Sequence, residues 1–227
     1  MTLTAIKYGE TTLPESWVFS GGDPEKKLPI ALLYFLIRAN GRNILIDAGC
    51  DDMPGFETPL FMESYLALKF AGLEPEEITD IIITHAHHDH IDGVRHFPNA
   101  DIYIQREEAE LGKGYLPQDG RVKVFDDRCS FDISPDKLAV KKIGGHSPGS
   151  SVVMLRHGWQ DYILVGDEFY SKRCITENRG AGAPFNRENN LALLEAIRCE
   201  NYIPIVFHDP SLVNLGVFGA TKLIRDV

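Results

Sequence analysis

Two runs early in the chain, Ile30 to Arg38 (IALLYFLIR) and Arg42 to Asp47 (RNILID), are dominated by apolar and branched side chains. Only Ala39-Asn40-Gly41 separates them, and Asn-Gly is a strong hairpin signal, so the pattern predicts two antiparallel strands. The spacing changes at Phe61 to Ala71 (FMESYLALKFA), where apolar residues recur at helical intervals up to Gly72, a residue suited to a helix C-terminus. An amphipathic helix packed on a sheet face is expected there. Asp80 to Thr84 (DIIIT) and Ala100 to Gln105 (ADIYIQ) read as strands, with a helical turn at Asp92 to Phe97 between them. Val122–Phe125, Leu138–Ile143, Ser151–Arg156 and Tyr162–Gly166 are further strands, and Glu188 to Cys199 (ENNLALLEAIRC) is a helix leading to a strand at Ile203–Phe207. Strands come first with helices interspersed, and no Pro/Gly linker divides the chain. Residues 1–227 are therefore expected to form one domain.

The composition, with 44% hydrophobic and 25% charged residues, is that of an ordinary soluble globular protein. A formal net charge of -10 and a pI near 5.2 would repel a phosphate backbone, and no basic stripe offsets this, so nucleic acid is excluded as a partner. A bound dication can still draw in a single anionic group locally. The N-terminus lacks the charged and apolar regions of a secretory signal, and no run approaches about 18 apolar residues. A cytoplasmic protein without a membrane span is expected. Cys50, Cys129, Cys174 and Cys199 show no C-x-x-C spacing, which points to reduced thiols rather than a disulfide frame or thiolate cage.

The candidate chemistry lies in Ile83-Thr84-His85-Ala86-His87-His88-Asp89-His90, which holds four of the chain's 8 histidines beside a carboxylate. Where a strand ends in a tight loop, His85 and His87, two apart, can turn to one ion and leave Asp89 and His90 for a second. Imidazole and carboxylate suit zinc or a similar divalent metal, and two such ions close together can hold a bridging hydroxide. The bland alternative is a histidine-rich surface loop. Against it stand three more donors just beyond predicted strands: His146 in Gly144-Gly145-His146-Ser147-Pro148-Gly149, Asp167 after Tyr162–Gly166, and His208 after Ile203–Phe207.

Gly145-His146-Ser147-Pro148-Gly149 also fits G-x-S-x-G, the nucleophile elbow of serine hydrolases. That device needs the backbone N–H of the residue after serine, and Pro148 has none. It also leads into a helix, whereas Ser151–Arg156 reads as a strand. No P-loop or dinucleotide-binding fingerprint is present.

His85-x-His87-x-Asp89-His90, followed by His146, Asp167 and His208, resembles the full ligand set of the metallo-β-lactamase superfamily. The resemblance implies an α+β fold, a four-layer αβ/βα sandwich with the site at one edge, and two divalent ions, zinc or else manganese, iron or cobalt. By analogy His85, His87 and His146 would hold the first ion, Asp89, His90 and His208 the second, and Asp167 would bridge them. Asp47-Ala48-Gly49 resembles the family's Asp-x-Gly element, whose carboxylate would orient a ligand histidine. His88 falls outside the pattern and is read as a loop residue near the ligands. Ser150 stands where the family often has a histidine, which implies altered packing behind the ligands rather than lost metal.

Within the superfamily, His87 replaces the glutamate of the diiron flavoproteins, and a bridging Asp167 differs from the true β-lactamases. The short stretch after His208 leaves no room for the glutathione-binding domain of glyoxalase II. Tyr170, three residues after Asp167, and Gly72-Leu73-x-Pro75-x-x-Ile78 resemble the N-acyl homoserine lactonases. The resemblance thus implies a hydrolase that opens a lactone or related carboxyl ester, a small-molecule substrate, through a metal-bridging hydroxide. Asp89, Asp167 and Tyr170 form its catalytic set, with Tyr170 stabilising the oxyanion and Asp167, or a water beside it, protonating the leaving alkoxide. Trp17, Phe19, Phe56 and Phe61 are candidates for an apolar approach. The rival readings are a thioester hydrolase, a phosphodiesterase and an inactive metal-binding regulator.

Overall fold

Two sheets carry the fold in the computed structural model, which describes residues 1–225. In chain order the strands are β1 (Thr2–Pro14), β2 (Lys27–Ala39), β3 (Arg42–Ile46), β4 (Leu60–Phe61), β5 (Asp80–Ile83), β6 (Asp101–Gln105), β7 (Val122–Phe125), β8 (Arg128–Ile133), β9 (Asp136–Lys142), β10 (Ser151–His157), β11 (Gln160–Leu164), β12 (Ile203–Ile205) and β13 (Gly219–Ile224). The first sheet runs β13-β1-β2-β3-β5-β6-β7, with β4 paired to β1, and the second runs β12-β11-β10-β9-β8. β3, β5, β6 and β7 are parallel, as are β11 and β12. The hairpin at Asn40-Gly41 forms as the sequence predicts. Both residues take positive φ, 49° and 74°, as a type I′ turn requires, and Ala39 pairs with Arg42 across it.

The alternation of side chains along β2 shows why that strand is apolar at nearly every position. Ala31, Leu33, Phe35 and Ile37 enter the core between the sheets, with Phe131, Val140, Val153 and Leu155 from the second sheet. Ile30, Leu32, Tyr34 and Leu36 enter the core on the other face, with Ala67, Leu68, Ile91 and Val94 from helical turns. Burying each such side chain contributes roughly 1.5–3 kcal/mol before conformational entropy is subtracted. The helix Arg187–Cys199 buries Leu193, Leu194 and Ile197 in the same core as Val152 and Ile163 of the second sheet. The architecture is the metallo-β-lactamase fold, two sheets with helices outside them.

Several elements differ from the hydrophobic pattern. Leu60 and Phe61 pair with Glu10 and Gly9 as β4, so the helix expected from Phe61 begins only at Ser64 and tightens to a 3-10 turn over Leu68–Ala71. It ends at Gly72 with φ 70°, as expected. β1, β8 and β13 lie outside the runs read from the sequence. Asp92–His96 is the predicted helical turn, of 3-10 type, and Asn186 caps the helix Arg187–Cys199 through Asn189 N–H. Among the described residues no helix is long and apolar enough to cross a membrane. All four cysteines are free.

Candidate metal centre

The sheet edges bring the predicted donors together. β5 ends at Ile83, two residues before His85, and β3 ends at Ile46, one before Asp47. β12 delivers Phe207, which packs edge-on against Phe35 at 4.6 Å between the sheets, so the next residue, His208, stands at the rim. His208 is fixed there by two contacts with Ala31: its carbonyl accepts from Ala31 N at 3.2 Å, and its Nδ1 lies 3.0 Å from the Ala31 carbonyl. Asp47 adopts φ 62° and is wholly buried. Its carboxylate accepts from Thr84 N at 2.7 Å and Thr84 Oγ1 at 2.8 Å, and binds His90 Nδ1 at 2.6 Å. This fixes the His90 ring with Nδ1 donating to Asp47 and turns Nε2 toward the site.

All seven predicted donors converge, in two groups. The ligand atoms of His85, His87, His146 and Asp167 lie within 4.8 Å of one another, and so do those of Asp89, His90 and His208. In the first group His87 Nδ1 is 3.1 Å from His85 Nε2 and 2.9 Å from His146 Nε2. In the second, His208 Nε2 is 3.4 Å from His90 Nε2. Asp167 spans both. Its Oδ2 is 3.8 Å from His85 Nε2 and from His146 Nε2, while its Oδ1 is 2.9 Å from His208 Nε2 and 3.2 Å from His90 Nε2.

Two observations show that this arrangement suits divalent cations. Asp167 Oδ1 is buried and makes no aligned hydrogen bond, despite two imidazole nitrogens within 3.2 Å. The imidazoles also turn nitrogen to nitrogen at 2.9 to 3.4 Å around that carboxylate, a cluster of neutral-nitrogen and carboxylate donors of the kind a divalent ion can share. Burial holds His85 well below the usual imidazole pKa, with His90 adding to the effect, and burial likewise lowers His146 to about 4. Both stay neutral, the form a metal requires. Burial would raise Asp167, but His208 and His90 hold it well below the usual carboxylate range.

Tyr170 stacks on His208, with ring centroids 5.4 Å apart and 22° between planes. Burial, and after it the charges of Asp167 and Asp89, raise its hydroxyl well above the ordinary phenol value, so it remains a donor at neutral pH. It borders a cleft of about 310 Å³ that also meets His87, His88, Asp89, Asp167 and His208. The rest of the lining is mostly apolar: Leu13, Trp17, Ile30, Leu32, Met53 and Phe56, with Thr11. Of the aromatic residues expected at this approach, Trp17 and Phe56 line the cleft. Phe19 is instead buried under Arg173 and Arg179, and Phe61 packs edge-on against Tyr8.

His88 belongs to neither group. Its Nε2 reaches Asp52 Oδ1 at 2.7 Å and its Nδ1 reaches the Tyr115 hydroxyl at 3.2 Å, so it ties the loop bearing Met53 to the ligand loop. Ser147, the serine of the elbow-like motif, donates to Glu108 at 2.6 Å and is 5% exposed, which removes it as a nucleophile. Sequence reasoning missed two buried acids, Glu108 and Glu168. Glu108 accepts from Ala86 N at 2.7 Å and Gly149 N at 2.8 Å, joining the loops that carry His85–His87 and His146. The only signal for Glu168 in the sequence is its place directly after Asp167.

The sequence profile of the metallo-beta-lactamase superfamily matches residues 32–202, and the chain belongs to this superfamily. It is 30% identical over 234 residues to an N-acyl homoserine lactonase of Bacillus thuringiensis, covering 90% of this chain and 91% of that one. It is 26% identical over 199 residues to a hydroxyacylglutathione hydrolase of Serratia proteamaculans, covering 86% and 67%. A crystal structure of a B. thuringiensis AiiA mutant with N-decanoyl-L-homoserine at its active site superposes with a TM-score of 0.78 at 23% identity, covering 96% and 98%. Family members bind metal ions, and membership implies a metal-dependent hydrolase.

Proposed function

We propose that this chain, as one metallohydrolase domain over residues 1–227, opens lactones or related uncharged carboxyl esters. It would hold one divalent ion by His85, His87 and His146 and a second by Asp89, His90 and His208, with Asp167 shared. The observation that carries the substrate reading is the cleft: apolar side chains share it with the donor set and Tyr170, and among the described residues no Lys or Arg lines it. Bound dications would offset the single charge of a phosphodiester at the reacting centre, but the two carboxylates of a glutathione thioester lie away from that centre and would meet no Lys or Arg in this cleft. The relatives named as lactonases support the same choice, while the hydroxyacylglutathione hydrolase marks the rival.

Bound divalent ions supply Lewis acidity and bring the pKa of water toward neutrality. The chain's own residues do the rest. The wall from Leu13 to Phe56 takes the apolar portion of the ester and turns its carbonyl toward Tyr170. As water adds to the carbonyl carbon, the Tyr170 hydroxyl donates to the oxygen that gains charge, a contribution of about 3 kcal/mol for a preorganised donor. Asp167 is 4% exposed and turns one oxygen to each donor group, whereas the Asp89 side chain is 21% exposed. Asp89, rather than the Asp167 that the resemblance implied, is therefore the more accessible carboxylate, and it would pass the proton released by water to the departing alkoxide. The carbon–alkoxy bond breaks and the product leaves as a carboxylate.

A pH-stat assay of zinc- and manganese-loaded protein tests this, using lactones of varied chain length beside a glutathione thioester and bis(p-nitrophenyl) phosphate. Lactone opening with little turnover of the charged substrates is expected. Turnover of the thioester or phosphodiester alone would overturn the substrate class. Bound metal without turnover of any of them would favour an inactive regulator.

A further inference from the structure

Glu168 is 1% exposed, carries no metal-ligand role in the scheme above, and faces no cation among the described residues. What faces it is a ring of donors. Its Oε1 accepts from Gly145 N at 3.1 Å, from His146 N at 3.0 Å and from Ser150 Oγ at 2.6 Å, while Asn190 Nδ2 lies 3.2 Å from Oε2. Two successive backbone N–H groups turned to one oxygen form an anion-holding nest, and here the anion belongs to the chain itself. The fit is close. A Cβ built on Gly145 would stand 2.1 Å from Glu168 Oε2, so only glycine admits the carboxylate. From the other side, the helix Arg187–Cys199 holds the same loop, with Asn186 N donating to the Gly145 carbonyl at 2.8 Å and Asn190 Nδ2 to the Glu168 carbonyl at 2.8 Å.

We infer that Glu168, with Ser150, is a positioning residue that sets the distance between His146 and Asp167 and thereby the affinity of the metal centre. Glu168 follows Asp167 in the chain and grips the peptide N–H of His146, so one dipeptide places one donor and locks the backbone beneath the other. Their facing atoms, Asp167 Oδ2 and His146 Nε2, are 3.8 Å apart. Ser150 is where the family often has a histidine, and in this chain its hydroxyl completes the grip on Glu168. The inference rests on the reading of His146 and Asp167 as ligands, not on the identity of the substrate.

The test is zinc affinity, measured by competition with a chromogenic chelator, beside thermal unfolding of the zinc-free protein. Glu168→Gln removes the charge, and one of its two amide atoms becomes a donor facing donors. Glu168→Asp keeps the charge but withdraws the carboxylate by one methylene. Both are expected to bind zinc on the order of 10- to 100-fold more weakly, the range seen when a partner behind a metal ligand is lost. Ser150→Ala, a milder change that secures a folded protein, is expected to weaken binding by a few fold. Glu168→Asp matching wild type would mean that charge alone matters and overturn the positioning role. So would lowered thermal stability of the zinc-free variants with zinc affinity within twofold of wild type. A wild-type protein that binds no zinc would instead sink the ligand assignment, and this inference with it.

Discussion

Asp47 and His90 meet as a wholly buried pair, with a carboxylate oxygen 2.6 Å from the imidazole Nδ1. The same carboxylate caps Thr84 N, at the end of the strand that precedes His85. One side chain thus fixes the ring orientation of a donor in the second group and the backbone leading to a donor in the first.

Asp47→Asn should weaken metal binding on the order of tenfold, because an amide cannot accept from Thr84 and His90 on both of its polar atoms. Stability of the metal-free protein should fall by about 1–3 kcal/mol, the cost of a buried donor left unpaired. Zinc titration and urea unfolding check the two effects. Unchanged affinity would detach Asp47 from the centre.

Tyr170→Phe should leave metal content unchanged and lower kcat for a lactone by roughly a hundredfold, with little change in KM, since the hydroxyl acts on charge that develops only in the transition state. Steady-state kinetics beside metal analysis decides this. A wild-type kcat would remove Tyr170 from the mechanism and leave it as a ring stacked on His208.

Trp17 is 49% exposed at the lip of the cleft. Trp17→Ala should lower kcat/KM for a long-chain lactone by roughly tenfold while sparing a short-chain one, because only the long chain reaches the wall that the indole provides. An equal loss on both substrates would show that Trp17 shapes the site rather than the acyl path.

Asp209 ties the two rims of the site. Its Oδ2 accepts from Lys172 N at 2.7 Å and Ser171 Oγ at 3.1 Å, and its Oδ1 accepts from Ser211 N at 2.8 Å. Burial alone would raise its pKa, but the Ser211 and Lys172 N–H groups outweigh this and lower it. A depressed folded-state pKa contributes stability above the unfolded value of about 3.9, and loses it as pH falls through the folded value. In metal-free protein, the urea midpoint of Asp209→Asn should therefore trail wild type at pH 7, and the gap should close as pH drops below about 4. A gap that stays constant or widens in acid would contradict this assignment.

The donors were legible because each is a chemically distinctive side chain at the end of a branched apolar run, as with His85 after Asp80–Ile83 and His208 after Phe207. The carboxylates that hold the loops were not. Glu108 and Glu168 look in the sequence like ordinary surface acids, and their partners, such as Ala86 N and Gly145 N, are backbone groups 22 or 23 positions away. β1 escaped for a related reason. It contains Lys7 and Glu10, yet Lys7 is 1% exposed, held by Glu10 at 2.5 Å and by the carbonyl of Asn214 from the far end of the chain. Phe61 was drawn into a helix by spacing alone, because its pairing with Gly9 lies far back in the sequence.

In the proposed site His85, His87, His146, Asp89, His90 and His208 grip two ions with Asp167 between them. Zinc content per chain, measured by plasma mass spectrometry on reconstituted and dialysed protein beside Asp167→Ala, tests it most directly. Two zinc ions are expected in the wild type and fewer in the variant. A wild type without zinc, or a variant that retains both ions, would contradict it.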